Sequence, residues 1–348
     1  MSPGPDPQPS GFGFYRPGQP DRPPGPTGTA GRPAVPEPLE PTADPVVIDD
    51  TAELDLSRDE VAAAVERTLA TLDAELVGLA GVKRRVREIA SLLLVDRARR
   101  QFGLESSRPT LHMSFTGGPG TGKTTVALRM AQILHALGYV RTPKVHTVTR
   151  DDLVGQFIGH TAPKTKEAIA KAAGGVLFID EAYYLHRPEN ERDYGQEVIE
   201  ILLTEMENER GSLVVIFAGY PDRMSGFFAA NPGLSSRVPH HIEFEDYTHA
   251  ELTQIADLMV AAENFRFDDA ARAAFSEYLD IRMTQPRFSN ARSVRNAIER
   301  TRLRQARRLV ELNRPLTKDD LITLTAQDIY GSSLFAARDA VATPEAVG

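Results

Sequence analysis

The sequence predicts an α/β fold in two parts, a parallel sheet layered with helices followed by a smaller helical subdomain, and three stretches predict it. The first is 111–125, LHMSFTGGPGTGKTT: alternating Leu111, Met113 and Phe115 read as a strand, the glycines as a tight turn, and the following Val126, Met130, Ile133 and Leu137 as a helix. The second is 174–181, GGVLFIDE, an unbroken apolar run that ends in two carboxylates, as a buried parallel strand does when it delivers acids to its C-terminal edge. The third is the stretch after Tyr247, where apolar residues recur at helical spacing.

In chain order, 1–50 reads as a disordered tail. Its first 45 residues hold 14 of the 25 prolines and few aliphatic residues, too little apolar surface to offset the entropy of ordering. Phe12, Phe14, Tyr15 and Arg16 form a candidate docking motif within it. A helix is expected over 51–75, opened by a Ser57-x-x-Glu60 capping box and carrying Val61, Val65, Leu69 and Leu72 on one face, with Leu76 continuing the stripe. A second helix over 82–102 buries Val86, Ile89 and Leu93 and stops at Gly103. The α/β subdomain is assigned to 76–245, with further strands at 145–148, 213–217 and 238–244 and helices at 163–173 and 194–209. The lid is assigned to 246–335, all helical: Thr248-x-x-Glu251 opens one helix, and 268–283 and 290–312 form two more. Residues 336–348 read as a C-terminal tail.

Composition bounds the chemistry. The 348 residues contain no cysteine, which excludes a cysteine nucleophile, disulfides and thiolate-held metals. The formal charge of -8 gives no global attraction to nucleic acid or to an anionic membrane. No apolar run approaches the roughly 20 residues of a membrane span, and no signal-peptide pattern precedes the fold, so a cytoplasmic location is expected. None of the eight histidines has metal-ligand spacing, and magnesium is the one metal invoked.

Gly117, Gly122, Lys123 and Thr124 satisfy G-x-x-x-x-G-K-[ST], in the strand–turn–helix context that this motif requires. The loop of Gly117, Gly118, Pro119, Gly120, Thr121 and Gly122 turns backbone N–H groups around a β-phosphate. Lys123 reaches the β- and γ-phosphates, and the Thr124 hydroxyl, with Thr125 beside it, sits where magnesium binds. Asp180 then holds the metal and Glu181 polarises the attacking water, a contribution of about 10²- to 10⁴-fold. The expected cofactors are therefore ATP and Mg2+. Phe157 and Ile158 lie between Gly155 and Gly159 on a loop after the 145–148 strand, a large apolar face on a loop free to move. Arg295, Arg300, Arg302, Arg304, Arg307 and Arg308 crowd one helix, either as a nucleic-acid face or as arginines that pair with acids or meet solvent.

Over 76–309 the chain resembles the CbbX family, the activases of red-type Rubisco, on LHMSFTGGPGTGKTTVALRMA, TRDDLVGQFIGHTAPKTKEAI, GGVLFIDEAYYL with RPENERDYGQE, and SNARSVRNAIERTRLRQARRL. The resemblance implies an AAA+ P-loop NTPase fold and a homo-hexameric ring that hydrolyses ATP. It further implies stimulation by ribulose 1,5-bisphosphate and transient threading, through the pore, of the C-terminal tail that the Rubisco large subunit carries. By the same resemblance Val77, Gly78 and Leu79 line the adenine pocket, and Phe157, Ile158 and Gly159 form the pore loop, with Phe157 where the family usually has tyrosine. Arg237 is implied as the finger reaching the neighbouring subunit's nucleotide, and Arg292 as the lid's contact to the γ-phosphate. The polar residue expected at the end of the 213–217 strand is missing: Ala218, Gly219 and Tyr220 stand there, and that role is unassigned. No nucleic-acid or membrane partner is implied. The rival readings are an AAA+ ATPase of a secretion or sporulation apparatus and a nucleotide-dependent nucleic-acid loader.

Overall fold

The structure, a computed structural model, describes residues 49, 52–104, 109–187, 193–208 and 213–335. The predicted tails and the Phe12–Arg16 aromatic motif lie outside the described residues, Asp49 excepted. The first helix, α1 (Glu60–Glu75), is capped by Asp59, whose carboxylate accepts from the N–H groups of Val61 and Ala62. The helix is thus capped at Asp59 rather than at the expected Ser57, because 56–58 make a 3-10 turn and Asp59 also pairs with Arg97 on the next helix. That helix is α2 (Ala80–Gln101).

The α/β layer follows as β1 (Met113–Gly117), α3 (Lys123–Ala136), β2 (Val145–Val148), a short α4 (Arg150–Leu153), α5 (Thr161–Ala172) and β3 (Val176–Ile179). After these come α6 (Gly195–Asn208), β4 (Val214–Gly219), α7 (Pro221–Ala230), α8 (Pro232–Arg237) and β5 (His240–Phe244). Among the described residues these strands form one parallel sheet in the order β2-β3-β4-β1-β5. Both faces are covered, which is why β3 and β4 are apolar and buried at every position. One face packs Phe115, Phe178 and Phe244 against α1–α3, and the other packs Leu177, Ile179 and Phe217 against α5–α8. With β1 between β4 and β5, the ends of β1, β3 and β4 open onto one side of the sheet.

The lid comprises α9 (His249–Ala262), β6 (Arg266–Phe267), α10 (Asp269–Met283), α11 (Asn290–Glu311), α12 (Lys318–Ile322), β7 (Thr323–Leu324) and α13 (Ala326–Tyr330). The Thr248/Glu251 capping box closes on α9 as expected. The lid is not all helical, however: β6 and β7 pair in parallel, Arg266 with Thr323 and Phe267 with Leu324. The pair buries Phe267 and Leu324 between α9, α10 and α11, and two-residue strands are too short to show an alternation in sequence.

Candidate active site

The loop after β1 wraps the N-terminus of α3, and around it lies a cavity of about 610 Å3. Its lining comes from four places. The phosphate loop and α3 supply Gly117, Pro119, Gly120, Gly122, Lys123, Thr124 and Thr125. The ends of β3 and β4 supply Asp180, Glu181, Gly219 and Tyr220. The α1–α2 connection adds Glu75, Leu76 and Val77, and the lid adds Tyr247, Ile255, Met259, Ala291, Arg292 and Arg295.

Lys123 is folded back onto its own loop, where Nζ donates to Gly118 O at 2.7 Å and Gly117 O at 3.0 Å. Burial pulls its ammonium below the usual lysine range and Arg292 adds to this, while Asp180 and Asp246 oppose it. An incoming polyphosphate would meet a partly desolvated cation whose present partners are weak carbonyl acceptors. Asp180 ends β3 through its N–H to Val148 O at 2.8 Å, and its carboxylate accepts from the Glu181 N–H at 3.0 Å. Glu181 has φ 51° and ψ 43°, the left-handed region that a non-glycine residue seldom adopts. Its Oε1 accepts from the Tyr183 hydroxyl at 3.2 Å.

The lid closes on the phosphate loop by direct bonds. Asn290 Nδ2 donates to Asp246 Oδ1 at 2.6 Å and to Pro119 O at 3.3 Å, while its Oδ1 accepts from the Tyr247 N–H at 3.1 Å. The Ala291 N–H donates to Gly120 O at 3.2 Å, and the Tyr247 hydroxyl to Thr121 O at 3.2 Å. A Cβ on Gly120 would collide with Ser289 O and Arg292 N, so the loop needs glycine there for the lid to approach. The residues fit a magnesium nucleoside triphosphate: a cavity of nucleotide size, a lysine and a helix N-terminus at its base, a hydroxyl and a carboxylate (Thr124, Asp180) beside them, and an apolar wall of Val77, Ile255 and Met259.

Lys123, Thr124, Thr125, Asp180, Glu181, Arg292 and Val77 thus meet in one place. Gly118 and Thr121 belong to the loop without lining the cavity. Gly78 and Leu79 do not line it either: both are left-handed, Leu79 packs into the core, and a Cβ on Gly78 would strike the Glu251 carboxylate. Arg237, at the end of α8, is away from the cavity, with Nη2 on Glu207 Oε2 at 2.6 Å and Nη1 on Gly233 O at 3.1 Å. Phe157, Ile158 and Gly159 stand on the α4–α5 loop, with Phe157 65% and Ile158 84% exposed. Asp246, Tyr247 and Asn290 were given no site role by the sequence, although Asn290 lies inside the SNARS stretch two positions before Arg292, and Arg295 was read only as part of the arginine-rich helix.

Residues 113–246 match the family model for the ATPase family associated with various cellular activities (AAA), and 248–338 match the AAA lid domain. Protein CbxX, chromosomal, of Cupriavidus necator is 59% identical over 300 residues, 86% of this chain and 94% of that protein. Protein CfxQ of Xanthobacter flavus is 59% identical over 283 residues, covering 81% of this chain and 89% of that protein. The chloroplastic ribulose bisphosphate carboxylase/oxygenase activase of Cyanidioschyzon merolae is 59% identical over 272 residues, 78% of this chain and 93% of that protein. The AAA domain of FIGL-1 superposes with a TM-score of 0.53 at 17% identity, over 83% of this chain and 97% of that one, a likeness of fold.

Proposed function

The chain belongs to the CbxX/CfxQ family of AAA ATPases, and from that premise we propose that it is a Rubisco activase that frees inhibited red-type Rubisco of tight-binding sugar phosphates by hydrolysing ATP. The observation that carries this reading is the identity of 59% along most of both chains with a relative whose own name is Rubisco activase, in a chain whose phosphate loop, paired acids and lid arginine line one cavity.

In this reading Lys123 leaves the carbonyls of Gly117 and Gly118 for β- and γ-phosphate oxygens, and Arg292 reaches the same phosphates from the lid. Thr124 and Asp180 would hold magnesium, which would supply charge neutralisation on the phosphates. Glu181 takes a proton from the attacking water at its carboxylate. Of the expected base-contact residues 77–79, Val77 is the one that lines the cavity and is kept as a base contact. Arg237 acts on the neighbouring subunit's nucleotide, and its position outside its own cavity supports that assignment. Subdomain limits of 76–245 and 246–335 are proposed for the two halves of this machine. The exposed Phe157 and Ile158 support a pore loop that grips polypeptide. The homo-hexamer, the C-terminal tail of the Rubisco large subunit as the threaded segment, and ribulose 1,5-bisphosphate as activator rest on the family resemblance.

The loader reading is disfavoured by the arginine-rich helix itself. Arg302 pairs with Glu263, Arg307 with Glu311 and Arg308 with Asp328, and Arg304 is bound to Asp328 O, so most of its charge is already satisfied. Carboxylation by sugar-phosphate-inhibited red-type Rubisco should recover when this protein and ATP are added. The Glu181→Gln variant should bind ATP as the parent does, hydrolyse almost none and restore no carboxylation. Absence of recovery with the parent protein and ATP would contradict the reading.

A further inference from the structure

Glu181 begins the 3-10 turn Ala182–Leu185, and the one hydrogen bond its carboxylate makes among the described residues comes from Tyr183, two residues along. Tyr183 is buried and does not line the cavity, so its hydroxyl reaches Glu181 from behind without access to the nucleotide. The ring is held on three sides. Tyr184 lies 4.7 Å and Tyr220 6.2 Å from it, centroid to centroid, and the Arg223 guanidinium stands 5.0 Å above it. Gly219 makes room for it: a Cβ there would sit 2.7 Å from Tyr183 Cδ1 and 2.8 Å from Met224 Sδ. The unusual Ala218-Gly219-Tyr220 end of β4 thus has a physical reason, since the place of a polar side chain at Gly219 is taken by the tyrosine that holds the acid.

We propose that Tyr183 is a positioning residue for the reaction, its hydroxyl latching Glu181 in a resting orientation that must be given up before the carboxylate can turn to the attacking water. The inference rests on the reading of Glu181 as the base. Burial and the adjacent carboxylate keep the Tyr183 hydroxyl protonated well above the ordinary tyrosine range, so it remains a donor at any working pH. While that bond stands, the carboxylate is held in one orientation by its Oε1, and the left-handed backbone of Glu181 is fixed with it. The turn has a handle on its far side. Arg150, which opens α4 just before the exposed 154–160 loop, donates from Nη1 to Tyr184 O at 2.7 Å and pairs with Asp193. Arg150 thereby ties α4 to the turn that carries the latch.

Steady-state ATP hydrolysis by the full chain tests this. Tyr183→Phe keeps the packed ring and removes only the hydroxyl; kcat should rise at least about threefold, with KM for ATP within about twofold of the parent. Gly219→Ala, which pushes the ring off the carboxylate, should move kcat in the same direction, and it decides the matter if Tyr183→Phe does not fold. Adding Tyr183→Phe to Glu181→Gln should bring no gain, since there is then no carboxylate to release. An unchanged or lowered kcat in a Tyr183→Phe protein with parental thermal unfolding overturns the latch while leaving the base assignment standing. Hydrolysis by Glu181→Gln at the parent's rate overturns the base assignment and the latch with it.

Discussion

A single buried amide, Asn290, joins three parts of the molecule, with its Nδ2 on Asp246 and Pro119 O and its Oδ1 under the Tyr247 N–H. It is 2% exposed and sits at φ 47°, a conformation that asparagine tolerates better than most residues. Truncation in Asn290→Ala leaves the Tyr247 N–H and a carboxylate without partners and should cost about 1–3 kcal/mol. Because the same bonds press the lid onto the phosphate loop, ATP affinity should fall together with stability. Denaturant unfolding and nucleotide titration check this, and parental values in both would contradict it. Lys123 was legible in sequence because the spacing of one strand–loop–helix encodes it, and Asp180 and Glu181 because an unbroken apolar run ends in them. Asn290, Tyr183 and Tyr220 were not, because their roles come from side chains meeting across the ends of different elements, which no local pattern records.

Helix α11 ties the lid together through charge as well as packing. Asp328, 1% exposed, accepts both Nε and Nη2 of Arg308 at 2.8 Å and closes the Thr325 cap of α13 at 2.9 Å. Burial works to raise the Asp328 carboxyl, but the bonds from Arg308 and Thr325 win and hold it below the ordinary aspartate value. A depressed carboxylate contributes stability above its unfolded value of 3.8, and that stability is lost as pH falls through the lower folded value. The contribution should therefore be intact at neutral pH and fade only in strong acid. Asp328→Ala, which strands Arg308, should destabilise the protein by about 3–5 kcal/mol at pH 7, with a smaller difference from the parent in strong acid, as read by denaturant unfolding. At this scale the longer elements were legible from apolar periodicity and caps, as Thr248 and Glu251 demonstrate on α9. The helix starts at Asp59 rather than at Ser57 because the Asp59 carboxylate caps it and Arg97 holds that carboxylate. The short α8 and β6–β7 pieces were missed because each is too short to carry a repeat of its own, whereas α7 was overlooked although it opens on Pro221 and spaces Met224, Phe227 and Phe228 as a helix does.

If Arg237 serves the neighbouring subunit's nucleotide as proposed, each catalytic site is divided between two subunits, and hydrolysis is separable from mechanical work. Arg237→Ala and Glu181→Gln proteins should each be nearly inactive, yet mixed rings should regain part of the parent's ATPase activity, because some interfaces then pair an intact finger with an intact base. Co-assembly without any recovery, at every mixing ratio, would contradict an arginine that acts on its neighbour. The most direct measurement concerns Phe157, which is exposed on the α4–α5 loop and touches nothing in the cavity. ATP hydrolysis and reactivation of sugar-phosphate-inhibited red-type Rubisco should be measured side by side for Phe157→Ala and Phe157→Tyr. The alanine variant should keep at least about half of the parent's ATPase activity and restore no carboxylation, since a methyl offers far less surface to a polypeptide than a phenyl ring, and the tyrosine variant should retain both. Reactivation by Phe157→Ala at the parent's rate would contradict the account.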